Sequence, residues 1–185
     1  MNTIREIIFV IDVVLLLSLG SGAAWSVFSP TKRLWPPPNK GSWQHRITWI
    51  FFYLVFVSNA ALLILDWNSW IYESNLRFIL GIPLALLGGL LVAWGLTSLG
   101  VHNTSGLKGG FVSTGPYQFT RNPQYLGDMI LFIGLSLIAN SHYLWVTHLL
   151  TIIVFAIAPL AEETWLLEQY GDKYIEYKQG TSRFL

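Results

Sequence analysis

Residues Leu76–Leu99 read LRFILGIPLALLGGLLVAWGLTSL, an apolar run whose single charged side chain, Arg77, lies at its start. A helix that crosses the hydrocarbon core of a bilayer needs about 20 such residues, each adding about 1.5 Å. The run meets that length, and it is continuously apolar instead of alternating as a strand of a membrane barrel would be. It therefore predicts a transmembrane helix and an all-α, membrane-embedded fold.

The composition of the whole chain agrees with this class. Of its 185 residues 53% are hydrophobic and 11% are charged, and the mean hydropathy is +0.50. A soluble domain carries about a quarter charged residues. The net charge of +1 with dispersed Lys and Arg excludes a nucleic-acid-binding protein, and the absence of Cys excludes disulfides and thiolate catalysis. No histidine spacing resembles a metal site.

Four more apolar runs flank the first, at Ile7–Phe28, Ile47–Leu65, Tyr125–Ala139 and Tyr143–Leu160. We predict a single polytopic domain over 1–185 with about five transmembrane helices, followed by a C-terminal cytoplasmic helix. The last two runs are shorter and share a tight turn, so they are expected to form a helical hairpin. Pro159 is expected to end or kink the second helix of that hairpin.

Basic residues in the short loops predict the orientation of the chain. Five spans put them in the cytoplasm if the N-terminus lies outside and the C-terminus inside. These residues are Lys32, Arg33, Lys40, Arg46, Lys108, Arg121, Lys173, Lys178 and Arg183. Tryptophans near the predicted boundaries are interpreted as interfacial anchors: Trp25, Trp35, Trp43, Trp67, Trp70 and Trp165.

Small residues recur on two of the predicted helices. Gly81, Ala85, Gly89 and Ala93 follow one another every four residues, and Ser18, Gly22 and Ser26 do the same on the first helix. In lipid, such residues let helix backbones approach closely. We expect both series to be helix-packing faces.

A polar segment, GPYQFTRNPQYLGD at Gly115–Asp128, leads into the fourth apolar run. Asn122 is a favoured N-cap and Pro123 a favoured first helical residue, so a helix is predicted to begin here. Its free N–H groups and the side chain of Arg121 favour an anionic ligand. Taken alone, the segment is equally an ordinary capped helix with an arginine on lipid headgroups.

A pair of acids, Glu162–Glu163, follows the last apolar run and should be solvated or paired. If the chain stays helical, Glu163, Tyr170 and Tyr174 share one face. A carboxylate beside aromatic rings suits a sulfonium or ammonium ligand. The alternative is a solvated helix start in an amphipathic tail.

Together the motifs resemble one family. GPYxxxRNPxYLG, an apolar hairpin, EExxLxxxYGxxYxxY and a terminal RFL are similar to the isoprenylcysteine carboxyl methyltransferase and phospholipid methyltransferase superfamily. The matching part is residues 99–185, whereas residues 1–75 carry no matching motif. The usual Arg-His-Pro of the family is Arg-Asn-Pro here, so position 122 cannot supply a titrating base.

The resemblance implies an integral membrane methyltransferase that uses S-adenosylmethionine, bound at the cytoplasmic face. It implies a cofactor site formed by Tyr117, Arg121, Asn122, Pro123, Tyr125, Leu126, Gly127, Glu162 and Glu163. Glu163 is expected to hold the amino group of the cofactor, with Glu162 as a second candidate for the same role.

The methyl acceptor is expected to be lipophilic, most simply an isoprenylcysteine-like carboxylate, which needs no base. A phospholipid amine or a small thiol are the alternatives, and an amine must first lose a proton. Arg183 is a candidate to neutralise an acceptor carboxylate or lipid phosphate, Tyr170 and Tyr174 to line its site, and His102 to serve as a base. The alternative from a different functional class is a membrane scaffold that keeps the same fold but has no catalytic activity.

Overall fold

The computed structural model of the protein describes residues 2–70 and 74–184, and within them it contains helices and no strand. Its helices are α1 (Asn2–Phe28), α2 (Trp43–Leu65), α3 (Leu76–Leu99), α4 (Val101–Thr104), α5 (Pro123–Ala139), α6 (His142–Tyr170) and α7 (Asp172–Gly180). Short 3-10 turns occupy Pro30–Lys32 and Gly115–Gln118. The all-α prediction is confirmed. Leu185, the last residue of the RFL motif, lies outside the described residues.

Four of the described helices, α1, α2, α3 and α6, are long and apolar enough to cross a membrane. The fifth apolar helix, α5, has 17 residues and is about 26 Å long at 1.5 Å per residue. Of the two expectations for Pro159, an end of the helix or a kink, the end is wrong, because α6 is 29 residues long and runs through Pro159 to Tyr170. Proline is tolerated inside membrane helices where neighbouring helices cover the freed backbone, and Pro159 is buried.

Helices α1 and α6 lie side by side and run in the same direction. Phe9 stacks on Tyr143 with ring centroids 4.5 Å apart, and further along the pair Gly20 lies against Val154. Helix α2 returns antiparallel to both of them. The C-terminal ends of α1 and α6 and the N-terminal end of α2 therefore meet at one end of the bundle.

Hydrogen bonds between buried polar side chains join α1, α2 and α6 inside the bundle. The Asn59 amide donates to Asp12 Oδ2 at 2.8 Å, and Thr147 Oγ1 donates to Asn59 Oδ1 at 3.0 Å. All three side chains are buried. Because water cannot satisfy such groups in lipid, the two hydrogen bonds fix these helices against one another.

A close glycine-lined contact joins α3 and α5, which run antiparallel. A Cβ added at Gly127 would lie 2.8 Å from the carbonyl oxygen of Gly88, and Gly81 lies opposite Gly134 in the same way. A Cβ added at Gly89 would meet no atom of another helix within 4 Å. The predicted packing face is therefore correct for Gly81 and Ala85 but wrong for Gly89. Four residues advance the helix face by about 40°, whereas seven return it to within about 20°.

Two of the three small residues of α1, Gly22 and Ser26, contact the loop that follows this helix. Ser26 Oγ accepts hydrogen bonds from the backbone N–H groups of Leu34 and Trp35 at 2.9 and 3.1 Å. A Cβ at Gly22 would meet the side chain of Leu34 at 3.3 Å. The predicted packing face is thus the seat of the α1–α2 loop.

Candidate functional site

A cavity of about 480 Å³ opens at the end of the bundle where α1, α2 and α6 meet, and α3 and α5 complete its walls. One part of the wall is polar and aromatic, and the other part, from α1 and α2, is apolar. Eight residues that the sequence singles out line it: Tyr117, Arg121, Asn122, Tyr125, Glu162, Glu163, Tyr170 and Tyr174.

The start of α5 positions Arg121 and Tyr125 at this cavity. Pro123 is the first residue of α5, as predicted, but Asn122 makes no side-chain capping hydrogen bond. Its amide instead donates to the backbone carbonyl of Arg183 at 3.0 Å. Asn122 therefore ties the C-terminal tail to the start of the helix.

The tail is held by two further bonds of the same segment. The backbone N–H of Arg121 donates to the carbonyl of Ser182 at 2.9 Å, and Thr120 Oγ1 donates to the carbonyl of Arg183 at 3.0 Å. The tail consequently packs beside the cavity, although α7 separates it from α6 along the chain.

Glu162 is held in the cavity by two neutral donors. The indole Nε1 of Trp35 donates to Glu162 Oε1 at 2.6 Å, and the hydroxyl of Tyr125 donates to the same oxygen. Neither donor carries a charge, so the negative charge of the carboxylate is not cancelled by its partners.

Glu163, the next residue, is surrounded by cations. Its Oε1 accepts from Arg183 Nε at 2.6 Å and lies 3.3 Å from Arg121 Nη1, while its Oε2 accepts from Lys178 Nζ at 3.0 Å. The hydrogen bond to Glu163 raises the pKa of Arg183. With both oxygens engaged, Glu163 organises the surrounding side chains and has little capacity left for a ligand.

Arg121 is the buried cation of the site, with 9% of its side chain exposed. Its Nη1 contacts Glu163 and donates to the Tyr174 hydroxyl at 3.3 Å, whereas its Nε is buried and has no hydrogen-bond partner among the described residues. Burial, and to a lesser extent Glu163, raises the pKa of Tyr174 to about 12, so this phenol stays neutral. The unused Nε leaves Arg121 able to bind an anion.

Tyr174 reaches the cavity by a route that differs from the sequence expectation. Helix α6 ends at Tyr170, and Gly171 turns the chain with φ 54° and ψ −128° before α7 begins. Glu163, Tyr170 and Tyr174 therefore do not lie on one continuous helix. They still meet because α7 folds back against α6.

Other predicted residues lie away from the cavity wall. His102 is exposed, and its Nε2 contacts the carbonyl oxygen of Lys108 at 3.0 Å. Five of the predicted site residues are absent from the cavity lining: His102, Pro123, Leu126, Gly127 and Arg183. Gly127 packs on α3, and Arg183 acts through its bond to Glu163.

Several lining residues that come from distant segments were not predicted from the sequence. Trp35 and Trp165 line the cavity and are not interfacial anchors, whereas Trp25, Trp43, Trp67 and Trp70 are exposed. Gln124 donates to the Tyr117 hydroxyl at 3.0 Å and to Thr104 Oγ1 at 3.1 Å. Only the buried Pro36–Pro37 pair beside Trp35 is a local signal that this tryptophan is fixed.

Asp128, one helical turn after Tyr125, is a further carboxylate in the cavity lining. Within the part of the chain that the structure describes, its side chain takes part in no hydrogen bond or ion pair. The cavity thus holds two carboxylates without a cationic partner, Asp128 and Glu162.

Comparison with known proteins gives one family and one curated relative. Residues 76–173 match the family model of phospholipid methyltransferases. The chain is 30% identical over 131 residues to phosphatidylethanolamine N-methyltransferase B of Dictyostelium discoideum. That match covers 62% of this chain and 66% of the relative, just under two thirds of its length. No solved structure gives a significant match.

Proposed function

The chain belongs to the phospholipid methyltransferase family, and we propose that it transfers a methyl group from S-adenosylmethionine to the amine headgroup of a membrane phospholipid. The observation that carries this proposal is one cavity that is lined both by charged groups of α5 and α6 and by apolar side chains of α1 and α2. A phospholipid has the same division between headgroup and acyl chains.

The residues of the cavity fit the cofactor. S-adenosylmethionine carries a carboxylate and an ammonium on its amino acid part. The unpartnered Nε of Arg121 suits the carboxylate, and Glu162 suits the ammonium. The cavity also lies within the range of about 300–1,000 Å³ that small-molecule sites occupy.

The charges of the cavity favour an amine as the acceptor. With Glu162 assigned to the cofactor, Asp128 is still a carboxylate without a cationic partner among the described residues, and the only described cation in the lining, Arg121, is already paired with Glu163. An isoprenylcysteine-like carboxylate would enter a site with an excess of negative charge, so we do not retain it as the leading acceptor. The name of the curated relative, an N-methyltransferase, points the same way.

The cofactor supplies an electrophilic methyl group on its sulfonium, which passes to the acceptor nitrogen as the carbon–sulfur bond breaks and S-adenosylhomocysteine is left. The protein orients the two reactants, which is the main source of catalysis in such a displacement. Asp128 takes the proton that an ammonium headgroup must lose before its nitrogen can react. Asn122 and His102 have no acid–base role in this scheme.

The proposal includes an orientation. The C-terminal ends of α1 and α6, the N-terminal end of α2 and the segment with Arg121 lie at the cavity end, where the basic loops also lie. The positive-inside rule then puts the cavity on the cytoplasmic side, with the N-terminus outside and five helices spanning the membrane.

The test is transfer of radiolabelled methyl from S-adenosylmethionine to defined acceptors by the purified protein in detergent. We expect label in the N-methylated product of phosphatidylethanolamine, and little in farnesylcysteine analogues or small thiols. Label mainly in farnesylcysteine would restore the carboxylate acceptor. Saturable cofactor binding by calorimetry should accompany transfer; if neither is seen at millimolar cofactor, the silent scaffold is correct.

A further inference from the structure

Trp35 brings the N-terminal part of the chain into the proposed cofactor site. It lies on the loop between α1 and α2, before the segment 76–173 that matches the family model. Its Nε1 and the Tyr125 hydroxyl share one acceptor, Glu162 Oε1. The second oxygen of Glu162 accepts no hydrogen bond within the described part of the chain, so this carboxylate has one fixed oxygen and one free oxygen.

The two donors fix the carboxylate without neutralising it. A lysine or arginine in place of Trp35 would cancel the charge, as Arg183 and Lys178 do at Glu163. A neutral donor leaves the carboxylate charge, which both oxygens share, without a cationic partner in the lining. The free oxygen can then accept from a cationic group of a ligand, and a charge-assisted hydrogen bond of this kind is stronger than a neutral one.

The indole of Trp35 is itself held in place from two sides. The backbone N–H of Trp35 donates to Ser26 Oγ at 3.1 Å, and the ring packs on Gly106, where a Cβ would lie 2.8 Å from Cη2. The same loop is joined to α6 by an ion pair between Arg33 and Glu168 at 2.7 Å. The position of the indole N–H is thus set by α1, by the loop after α4 and by α6.

We propose that Trp35 is a positioning residue that directs the free oxygen of Glu162 toward the cationic amino group of the cofactor. The loop between α1 and α2 then completes a site whose other residues lie in the family segment. The inference rests on the proposed function, because it takes S-adenosylmethionine as the ligand.

Calorimetry on the full-length Trp35→Phe variant tests the inference with two ligands. S-adenosylmethionine has the amino acid part, and 5′-methylthioadenosine lacks it. Loss of a hydrogen bond to a charged group should lower the affinity for S-adenosylmethionine about tenfold. The affinity for 5′-methylthioadenosine should stay within about twofold, because the ring that forms the cavity wall is kept. Trp43→Phe is the matched control, since Trp43 is exposed and outside the cavity lining.

The outcomes separate the inference from the proposed function. Equal losses for both ligands would mean that Trp35 only supports the cavity wall, and an unchanged affinity for S-adenosylmethionine would mean that it does not act on Glu162. Either result overturns the inference alone, whereas absence of cofactor binding to the wild-type protein overturns the proposed function. If Trp35→Phe does not fold, Ser26→Ala loosens the same indole and should give a smaller loss, again only for S-adenosylmethionine.

Discussion

Arg121 is the cavity residue with the most hydrogen-bonding capacity left for a ligand. One of its terminal nitrogens serves Glu163 and Tyr174, while Nε is buried without a partner among the described residues. A planar guanidinium has five N–H donors on three nitrogens and can serve these partners and an anion in separate directions, whereas an ammonium has three donors on one nitrogen. Arg121 therefore joins the tail-holding network to the ligand site.

Replacement of Arg121 by lysine should lower the affinity for S-adenosylmethionine about tenfold, because a charge-assisted hydrogen bond is lost while the positive charge stays. Arg46→Lys is the same chemical change at an exposed position in the first turn of α2 and should have no effect. Calorimetry on both variants measures the difference. Equal affinity in the two would show that the cofactor carboxylate does not bind at Arg121.

Asp128 is the residue on which the choice of an amine acceptor depends. Asp128→Asn keeps the shape of the side chain but removes its ability to take a proton. We expect transfer to phosphatidylethanolamine to fall about a hundredfold at neutral pH. The deficit should shrink as the pH rises, because the amine then loses its proton to solvent, and cofactor affinity should not change.

The control for Asp128→Asn is Asp172→Asn, the same change at an exposed position on α7. Initial rates from pH 6 to pH 10 give the comparison. A rate in Asp128→Asn that equals the wild-type rate, or a deficit that does not depend on pH, would remove Asp128 from the proton transfer.

At the scale of helices, the contact between α3 and α5 sets where the start of α5 lies. Gly88 and Gly127 bring the two backbones together, and Gly95 lies next to Gln124 at the first turn of α5. The residues of that turn, Gln124 and Tyr125, both line the cavity. The geometry of the site consequently depends on a helix contact that includes no ligand-binding residue.

Adjacent glycines on α3 give a matched test of this contact. Alanine is the better helix former by about 1 kcal/mol, so Gly89→Ala, which meets no neighbour, should leave stability unchanged or raise it. Gly88→Ala places its methyl group against the backbone of α5 and should cost about 1–3 kcal/mol. The melting temperature in detergent should therefore fall for Gly88→Ala and stay the same or rise for Gly89→Ala. Equal melting temperatures for the two variants would contradict the close approach of α3 and α5.

Local patterns in the sequence were enough to predict the helices and one side of the site. Length and apolar character predicted the long apolar helices. The motifs around Arg121 and Glu162 predicted that these two residues share a site, and both line the cavity. They could not predict the continuity of α6 through Pro159, because that depends on burial by neighbouring helices. Trp35 was missed for the same reason: its partner is 127 residues away, and only tertiary packing joins them.

At the scale of the whole molecule, the cavity joins the segment that matches the family model to the two helices before it. The family match covers 76–173, yet α1 and α2 supply the apolar wall, including Leu19, Phe51 and Phe52. Gly20 lies against Val154, and Glu162 follows eight residues later, about 12 Å along α6. Under the proposed function, the N-terminal helices would bind the acyl part of the acceptor, and the cofactor would bind beside Arg121 and Glu162.

A matched pair of leucines on α1 tests this division between the two ends. Leu19 lines the cavity, whereas Leu17 is 53% exposed on the surface that faces away from it. Leu19→Trp should fill the apolar part of the cavity and lower the apparent affinity for phosphatidylethanolamine about tenfold, because a mismatch of size in a hydrophobic pocket has an effect of this order. Cofactor affinity should not change, since Arg121 and Glu162 are at the far end, and Leu17→Trp should alter neither quantity. Steady-state kinetics in mixed micelles with varied lipid, together with cofactor calorimetry, give both values. If Leu19→Trp lowered the affinity for the cofactor and left the apparent affinity for the lipid unchanged, the cofactor and the acyl chains would have been assigned to the wrong parts of the cavity.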